Sequence, residues 1–284
     1  MKPAPFTRHV PRTVAEAVEI LSKVAPEDGR VLAGGQSLVP IMAFRLAKPA
    51  HLVDINEIAE LARVDNDGKA LAIGAIARHA AFHKPAVEGP LGALLSAVAR
   101  HIAHYPIRTR GTFCGSVAHA DPASEWCLVA ATLDATMVAK SARGERRIAA
   151  KDFFQGIMTT ALAEDELLTH VRLPLLPADA KFGFNEFNRR AGDFAMSAAL
   201  AVYRMEDGKI VEPRIGVGGA EPFPRRIPQA EAALDGQAPG DKVFRAAAEA
   251  AAKAVDAMED HQTTADYRRD LVRAVVRRAL ENSA

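Results

Sequence analysis

The chain has 284 residues, 49% of them hydrophobic and 25% charged, the composition of a globular protein able to bury a substantial core. Its 36 basic and 35 acidic side chains leave a formal charge of +1, which gives no electrostatic case for nucleic acid or an anionic membrane as the main partner. No apolar run approaches the ~20 residues of a membrane span, and Met1-Lys2-Pro3-Ala4-Pro5-Phe6 lacks the apolar core of a secretory signal. Two cysteines, Cys114 and Cys127, are too few for a four-ligand zinc or iron–sulfur site, and a disulfide is unexpected in a cytosolic chain. These features together predict a cytoplasmic protein without a metal of its own.

Thr13 to Val24 carries Val14, Ala17, Val18 and Leu21, the spacing of a helix with one buried face. Arg30 to Ala33 reads as a strand broken by Gly34-Gly35. Pro40 then suits the first turn of a helix continuing through Ile41–Leu46, and Leu52–Ile55 is another strand. A strand over Ala70–Ile76 leads through a polar bend to a helix over Pro90–His101, with the stripe Leu91, Leu94, Leu95, Val98 and Ile102.

His104 to Asp121 has few apolar residues and no clean period, and is expected to be a long functional or mobile loop. Asp121-Pro122 suits the cap and first position of a helix running to about Leu133. Thr136–Ala139 and Arg147-Ile148 form a hairpin pattern around Ala142-Arg143-Gly144, and Leu167–Leu173 is the last strand before a boundary at Pro174…Pro177. Beyond it, Phe182–Phe187, Met196–Met205 and Arg214–Gly219 read as antiparallel strands, and helices are expected over about 241–259 and 264–281. The division is therefore 1–177 and 178–284. The last helix sets Tyr267, Leu271, Val275 and Leu280 against Arg268, Arg269, Arg273, Arg277 and Arg278. Such a series is most often a solvated face, with docking of a partner subunit as the sharper reading.

Two segments carry chemistry. Val31-Leu32-Ala33-Gly34-Gly35-Gln36-Ser37-Leu38 runs from a strand into paired glycines, which leaves consecutive backbone N–H groups free to bind phosphate oxygens without a lysine. It lacks the Gly-Lys-Ser/Thr of a Walker loop and the G-x-G-x-x-G spacing of a dinucleotide-binding βαβ unit, and an ordinary strand-to-helix turn is the alternative. The second, Arg110-Gly111-Thr112-Phe113-Cys114-Gly115-Ser116 through His119, Asp121 and Glu125, offers two hydroxyls, small residues and free amides. Thr112 and Ser116 suit phosphate or ribityl oxygens, while Asp121 and Glu125 could accept from ligand hydroxyls. A capping role for Asp121 and a solvated position for Glu125 are the alternatives. No nucleophile with an orienting acid surrounds His119, and His101 and His104 have no third ligand-like partner.

Ala33–Leu38, the Arg110–Glu125 run and Arg189-Arg190-Ala191-Gly192-Asp193-Phe194-Ala195 together resemble the medium, FAD-binding subunit of molybdenum hydroxylases, the xanthine dehydrogenase and aerobic carbon monoxide dehydrogenase family. The resemblance covers essentially the whole chain. It implies an α+β fold: a PCMH-type, vanillyl-alcohol-oxidase-like FAD-binding domain of two subdomains, followed by a small C-terminal α+β domain with an antiparallel sheet. It further implies that residues 31–38 and 112–116 hold the FAD diphosphate and ribityl chain. Glu125 matches an acidic cofactor contact, Leu168 a backbone contact, and Ile102 an apolar residue near the flavin or adenine. Phe194 matches a bulky residue beside the isoalloxazine ring, with a core position beside Met196 as the alternative.

Two departures stand out. Cys114 occupies the place of a second glycine and would be strained if its φ were positive, and Asn185 stands where many relatives carry lysine. A redox-active Cys114 thiol is the other reading of that position, although no resolving partner is visible.

The function implied is electron transfer. Substrate would be oxidised at molybdopterin on a large subunit, and electrons would pass through two [2Fe–2S] clusters on a small subunit to FAD here, then to an external acceptor. The complex would be a dimer of heterotrimers. None of the residues singled out acts as a general base, and two cysteines cannot supply the extra [4Fe–4S] cluster of some relatives. A self-contained flavin oxidase or dehydrogenase, and a non-redox nucleotide-binding assembly protein, are the competing readings.

Overall fold

The computed structural model describes residues 2–283. In chain order the elements are β1 (Thr7–His9), α1 (Val14–Val24), β2 (Gly29–Leu32), α2 (Leu38–Ala43), β3 (His51–Asp54), β4 (Val64–Asn66), β5 (Ala70–Gly74), α3 (Pro90–Ala99), α4 (Tyr105–Arg108), α5 (Phe113–His119) and α6 (Glu125–Thr132). There follow β6 (Thr136–Ser141), β7 (Gly144–Ala149), α7 (Ala150–Phe153), β8 (Phe154–Gly156), β9 (Thr159–Thr160) and β10 (Leu167–Pro174). The remainder is β11 (Lys181–Phe187), β12 (Ser197–Glu206), β13 (Lys209–Gly218), β14 (Arg225–Arg226), α8 (Pro228–Leu234), α9 (Asp241–Ala254) and α10 (Ala265–Ser283).

Three larger sheets and a two-stranded β8–β9 hairpin carry the strands. A small parallel sheet has the order β1-β3-β2, a five-stranded antiparallel sheet the order β4-β5-β10-β6-β7, and a C-terminal antiparallel sheet the order β11-β12-β13-β14. The fold is α+β, with an antiparallel sheet in the C-terminal part. No helix among the described residues is long and apolar enough to cross a membrane.

The pattern in β12 explains how the sheets join. Residues 197–203 are all buried, so the strand is covered on both faces. Ala198, Leu200 and Val202 join the larger core, shared with α1, α3, α5 and α6. Ala199, Ala201 and Tyr203 alternate to the other side and pack with α9 and α10. All eight residues of α6 are buried, because this helix is wedged against β12 and β13. A Cβ on Gly216 would stand 1.8 Å from Thr132 Oγ1, so only glycine admits that approach.

Most expected elements are present, with corrected limits. The stretch His104–Asp121 is not a long loop: it contains α4 and α5, and Thr112 caps α5 by accepting from the Gly115 N–H at 3.0 Å. Small residues in α5 (Cys114, Gly115, Ser116, Ala118) hide its helical period. Asp121 is not the cap of α6. That cap is Ser124, while Asp121 accepts from the Ala123 N–H in a turn. Helix α2 stops at Ala43 because Phe44 closes it and Arg45 takes φ +58°, which leaves Leu46 exposed. The strand expected to reach Ile76 ends at Gly74, and α9 ends at Ala254, not 259.

The arginine series of α10 is also corrected. Arg268 is buried rather than solvated: it donates to the carbonyls of Met196 (3.1 Å) and Gly219, and to Asp260 (2.7 Å) and Thr263. Tyr267, placed on the apolar stripe by spacing, is exposed.

Candidate functional site

The two glycine-bearing segments meet. The turn after β2 and the turn before α5 lie so close that a Cβ on Gly34 would stand 2.4 Å from the Arg110 carbonyl oxygen and 2.7 Å from Gly111 Cα. Two side chains fix this approach. Asn56 donates to the Ala33 carbonyl at 2.8 Å and to Asp54 at 2.6 Å, and Arg78 donates to Asn56 Oδ1 at 2.6 Å and to the Arg110 carbonyl. Asp54 is held in turn by Arg8 at 2.6 Å. The ordering of both turns therefore depends on a relay of side chains from β1, from the end of β3 and the turn after it, and from the segment after β5.

Between the turns lies a cavity of about 610 Å³. The residues on which the cofactor reading rests border it: Val31 through Leu38 (that is, Leu32, Ala33, Gly34, Gly35, Gln36 and Ser37 between them), Ile102, Thr112, Cys114, Gly115, Ser116, His119, Asp121, Glu125, Leu168 and Phe194, whereas Phe113, within the 112–116 run, turns into the core. Gly35 takes φ +71°, and among the described residues the N–H groups of 34–38 make no hydrogen bond within the chain. Consecutive unpaired amides around a left-handed residue form a concave anion site. The Thr112 hydroxyl accepts from the Gly115 N–H and still has its own O–H to donate. Ser116 makes no side-chain hydrogen bond among the described residues.

Glu125 is not on a solvated face. It is buried at the start of α6 and borders the cavity, and desolvation, reinforced by the nearby carboxylates of Glu186 and Asp121, pushes its pKa up to about 8. At neutral pH it is a protonated acid, able to donate as well as accept. Glu186 accepts from Asn188 at 3.0 Å and faces His101 Nδ1 at 3.2 Å.

Phe194 is not a core residue beside Met196. It is 68% exposed at the cavity edge, in the turn between β11 and β12, where His104 packs against Gly192. Ile102 and Leu168 are buried and supply apolar wall.

Cys114 sits inside α5 with ordinary helical backbone, so the strain expected for a positive φ does not arise. Its sulfur turns away toward the Ile73 carbonyl at 3.2 Å, and burial pushes the thiol up in pKa. Cys127 is likewise buried and pushed up to about 12, again by desolvation. Neither is poised as a thiolate, which answers the redox reading of Cys114. Asn185 lies in β11, and its Oδ1 is buried without a partner among the described residues. No group of His, Cys, Asp and Glu among the described residues has the arrangement of a metal site.

Parts of the wall were not visible in the sequence. The β8–β9 hairpin brings Met158, Thr159 and Thr160 to the cavity, tied down by the Met158 N–H to the Ala120 carbonyl at 3.1 Å. Glu166, paired with Arg146 at 2.6 Å, and His79 also line the cavity. The short strands of the hairpin give no periodic signal, and His79 acquires its place only through partners more than 30 residues away.

The donor set fits a phosphorylated dinucleotide: unpaired amides and hydroxyls at the contact of two turns, an acid deeper in, apolar walls, and an exposed aromatic at the edge. Comparison with known proteins agrees. A family model described as the FAD binding domain in molybdopterin dehydrogenase matches residues 4–176, and one described as the CO dehydrogenase flavoprotein C-terminal domain matches 182–283. The chain is similar to the nicotine 6-hydroxylase medium subunit of Paenarthrobacter nicotinovorans, 39% identical over 95% of this chain and 94% of that one. It is also similar to the carbon monoxide dehydrogenase medium chain of Afipia carboxidovorans, 35% identical over 100% and 98%. Among solved structures, carbon monoxide dehydrogenase from Hydrogenophaga pseudoflava superposes with a TM-score of 0.95 at 34% identity, covering 100% of this chain and 98% of that one.

Proposed function

The chain belongs to the medium, FAD-binding subunits of the molybdenum hydroxylases, and from that premise we propose that it relays electrons from iron–sulfur clusters on a partner subunit, through FAD in the cavity described, to an external acceptor. The observation that carries this reading is the backbone contact at Gly34, which turns two separate segments into one donor-lined site. When bound, FAD supplies the chemistry that couples single-electron carriers to a two-electron acceptor.

The amides of 34–38 hold the diphosphate without a counter-charge from lysine, with the hydroxyls of Thr112 and Ser116 completing its shell. Glu125, its pKa raised to about 8 by burial and by neighbouring carboxylates, would be a donor toward the bound cofactor at neutral pH. With FAD bound, the buried Ile102 and Leu168 would exclude water along the cofactor, and the exposed Phe194 at the cavity edge would shield its ring system. The division of labour follows at about residue 177, with residues 178–284 presenting Phe194 to the site.

Substrate oxidation then belongs to a molybdopterin-bearing large subunit, and the two [2Fe–2S] clusters to a small one, in a dimer of heterotrimers located in the cytoplasm. The test is anaerobic addition of the complex's substrate to the purified assembly. Bleaching of the flavin absorption, and its loss when this chain is left out, supports the relay. Flavin that stays oxidised while the clusters are reduced contradicts it.

A further inference from the structure

His79 lines the cavity, yet neither turn contains it. It stands between β5 and α3, is 4% exposed, and its N–H donates to the Gly111 carbonyl at 3.0 Å, so its backbone is fixed to the second turn. Its ring is fixed separately. The indole N–H of Trp126, the single tryptophan of the chain, donates to His79 Nδ1 at 2.9 Å. An indole nitrogen can only donate, so Nδ1 must accept and the imidazole proton must sit on Nε2. Trp126 is wholly buried in α6 and stacks in a cluster with Phe82 and Phe113, at ring-centroid distances of 5.4 and 4.7 Å, so this partner cannot swing away.

The free end of the ring is Nε2. It lies against Gly111, where an added Cβ would come within 2.5 Å of it. Nε2 has no partner within the chain among the described residues, and it is not among the walled-in polar atoms lacking one. Protonation of this ring is disfavoured by burial and then by the Arg108 and Arg78 guanidinium groups, which hold the imidazole at about 4. The same two cations make this end of the cavity favourable for an anion.

We propose that His79 is a cofactor-binding residue: its Nε2–H, oriented by Trp126, donates to a phosphate oxygen of the dinucleotide beside the Gly111-Thr112 turn. This rests on the FAD reading above. A neutral donor suits the position, because the ring cannot give up its Trp126 bond to become doubly protonated without stranding the buried indole N–H.

The experiment uses the whole chain freed of flavin and titrated with FAD, with binding followed by quenching of Trp126 emission. Loss of one hydrogen bond to a charged oxygen predicts that His79→Phe binds FAD about 10- to 100-fold more weakly, whereas His79→Gln, which keeps a donor near Nε2, stays within about 3-fold of the parent. Nitrogen NMR of the histidine-labelled parent chain gives a second readout that needs no variant. The His79 Nε2–H resonance is present before FAD is added, and it shifts and becomes protected from exchange once FAD is bound. A parent chain that binds FAD with this resonance unmoved, or a folded His79→Phe that binds as the parent does, overturns the assignment. A parent chain that does not bind FAD at all overturns the reading beneath it.

Discussion

Replacing Glu125 by glutamine tests the buried acid without changing its size. In the folded chain its pKa is pushed up to about 8 from an ordinary value of 4.5, chiefly by desolvation and then by Glu186 and Asp121. Between those two values the folded state holds a proton that the unfolded state has released, so stability falls as pH rises through this window and levels off above it. A single proton changes stability by at most about 1.4 kcal/mol per pH unit, so from about pH 5 to about pH 8 the parent loses on the order of 3 kcal/mol through this group. Glutamine cannot ionise and escapes that loss. Urea unfolding of the flavin-free parent and of Glu125→Gln at several pH values should therefore show a stability difference that moves in favour of the variant as pH rises. A difference that stays flat over that range would mean that Glu125 is ionised in the folded protein, and that its role as a donor is wrong.

Other residues give sharper yes-or-no outcomes. Gly34→Ala forces a methyl group to 2.4 Å from the Arg110 carbonyl, and should reduce FAD affinity by at least about 100-fold in a titration, because the two turns must separate. Phe194→Ala, at an exposed position, should leave thermal unfolding within about 0.5 kcal/mol of the parent while shifting the visible spectrum of bound flavin. Arg268→Ala strands the carbonyls of Met196 and Gly219 and should cost about 3 kcal/mol or more in urea unfolding. Native protein should show no thiol reactive toward a disulfide reagent, with both Cys114 and Cys127 appearing only on unfolding.

What the sequence made legible was local. Val14, Ala17, Val18 and Leu21 announce α1 because one face of a short helix repeats at helical spacing, and all four are buried. The paired glycines at 34–35 and the Thr112–Ser116 run show small residues and free amides whatever surrounds them, and both glycines and all of the run but Phe113 border the cavity. The structure adds what depends on distance along the chain. The Asn56–Arg78 relay joins partners 22 or more residues apart, and the His79–Trp126 bond spans 47. Neither leaves a periodic trace. Arg268 shows the opposite failure: its neighbours at helical spacing are arginines that reach solvent, but at this position α10 lies over the Met196 and Gly219 carbonyls, and the guanidinium serves them.

The electron relay requires both turns to grip one dinucleotide. A crystal structure of the chain soaked with FAD tests this most directly. The diphosphate is predicted within hydrogen-bond reach of the amides of 34–38 and of the Thr112–Ser116 segment at once, with one FAD per chain. Density for the cofactor elsewhere, or against only one of the turns, would contradict it.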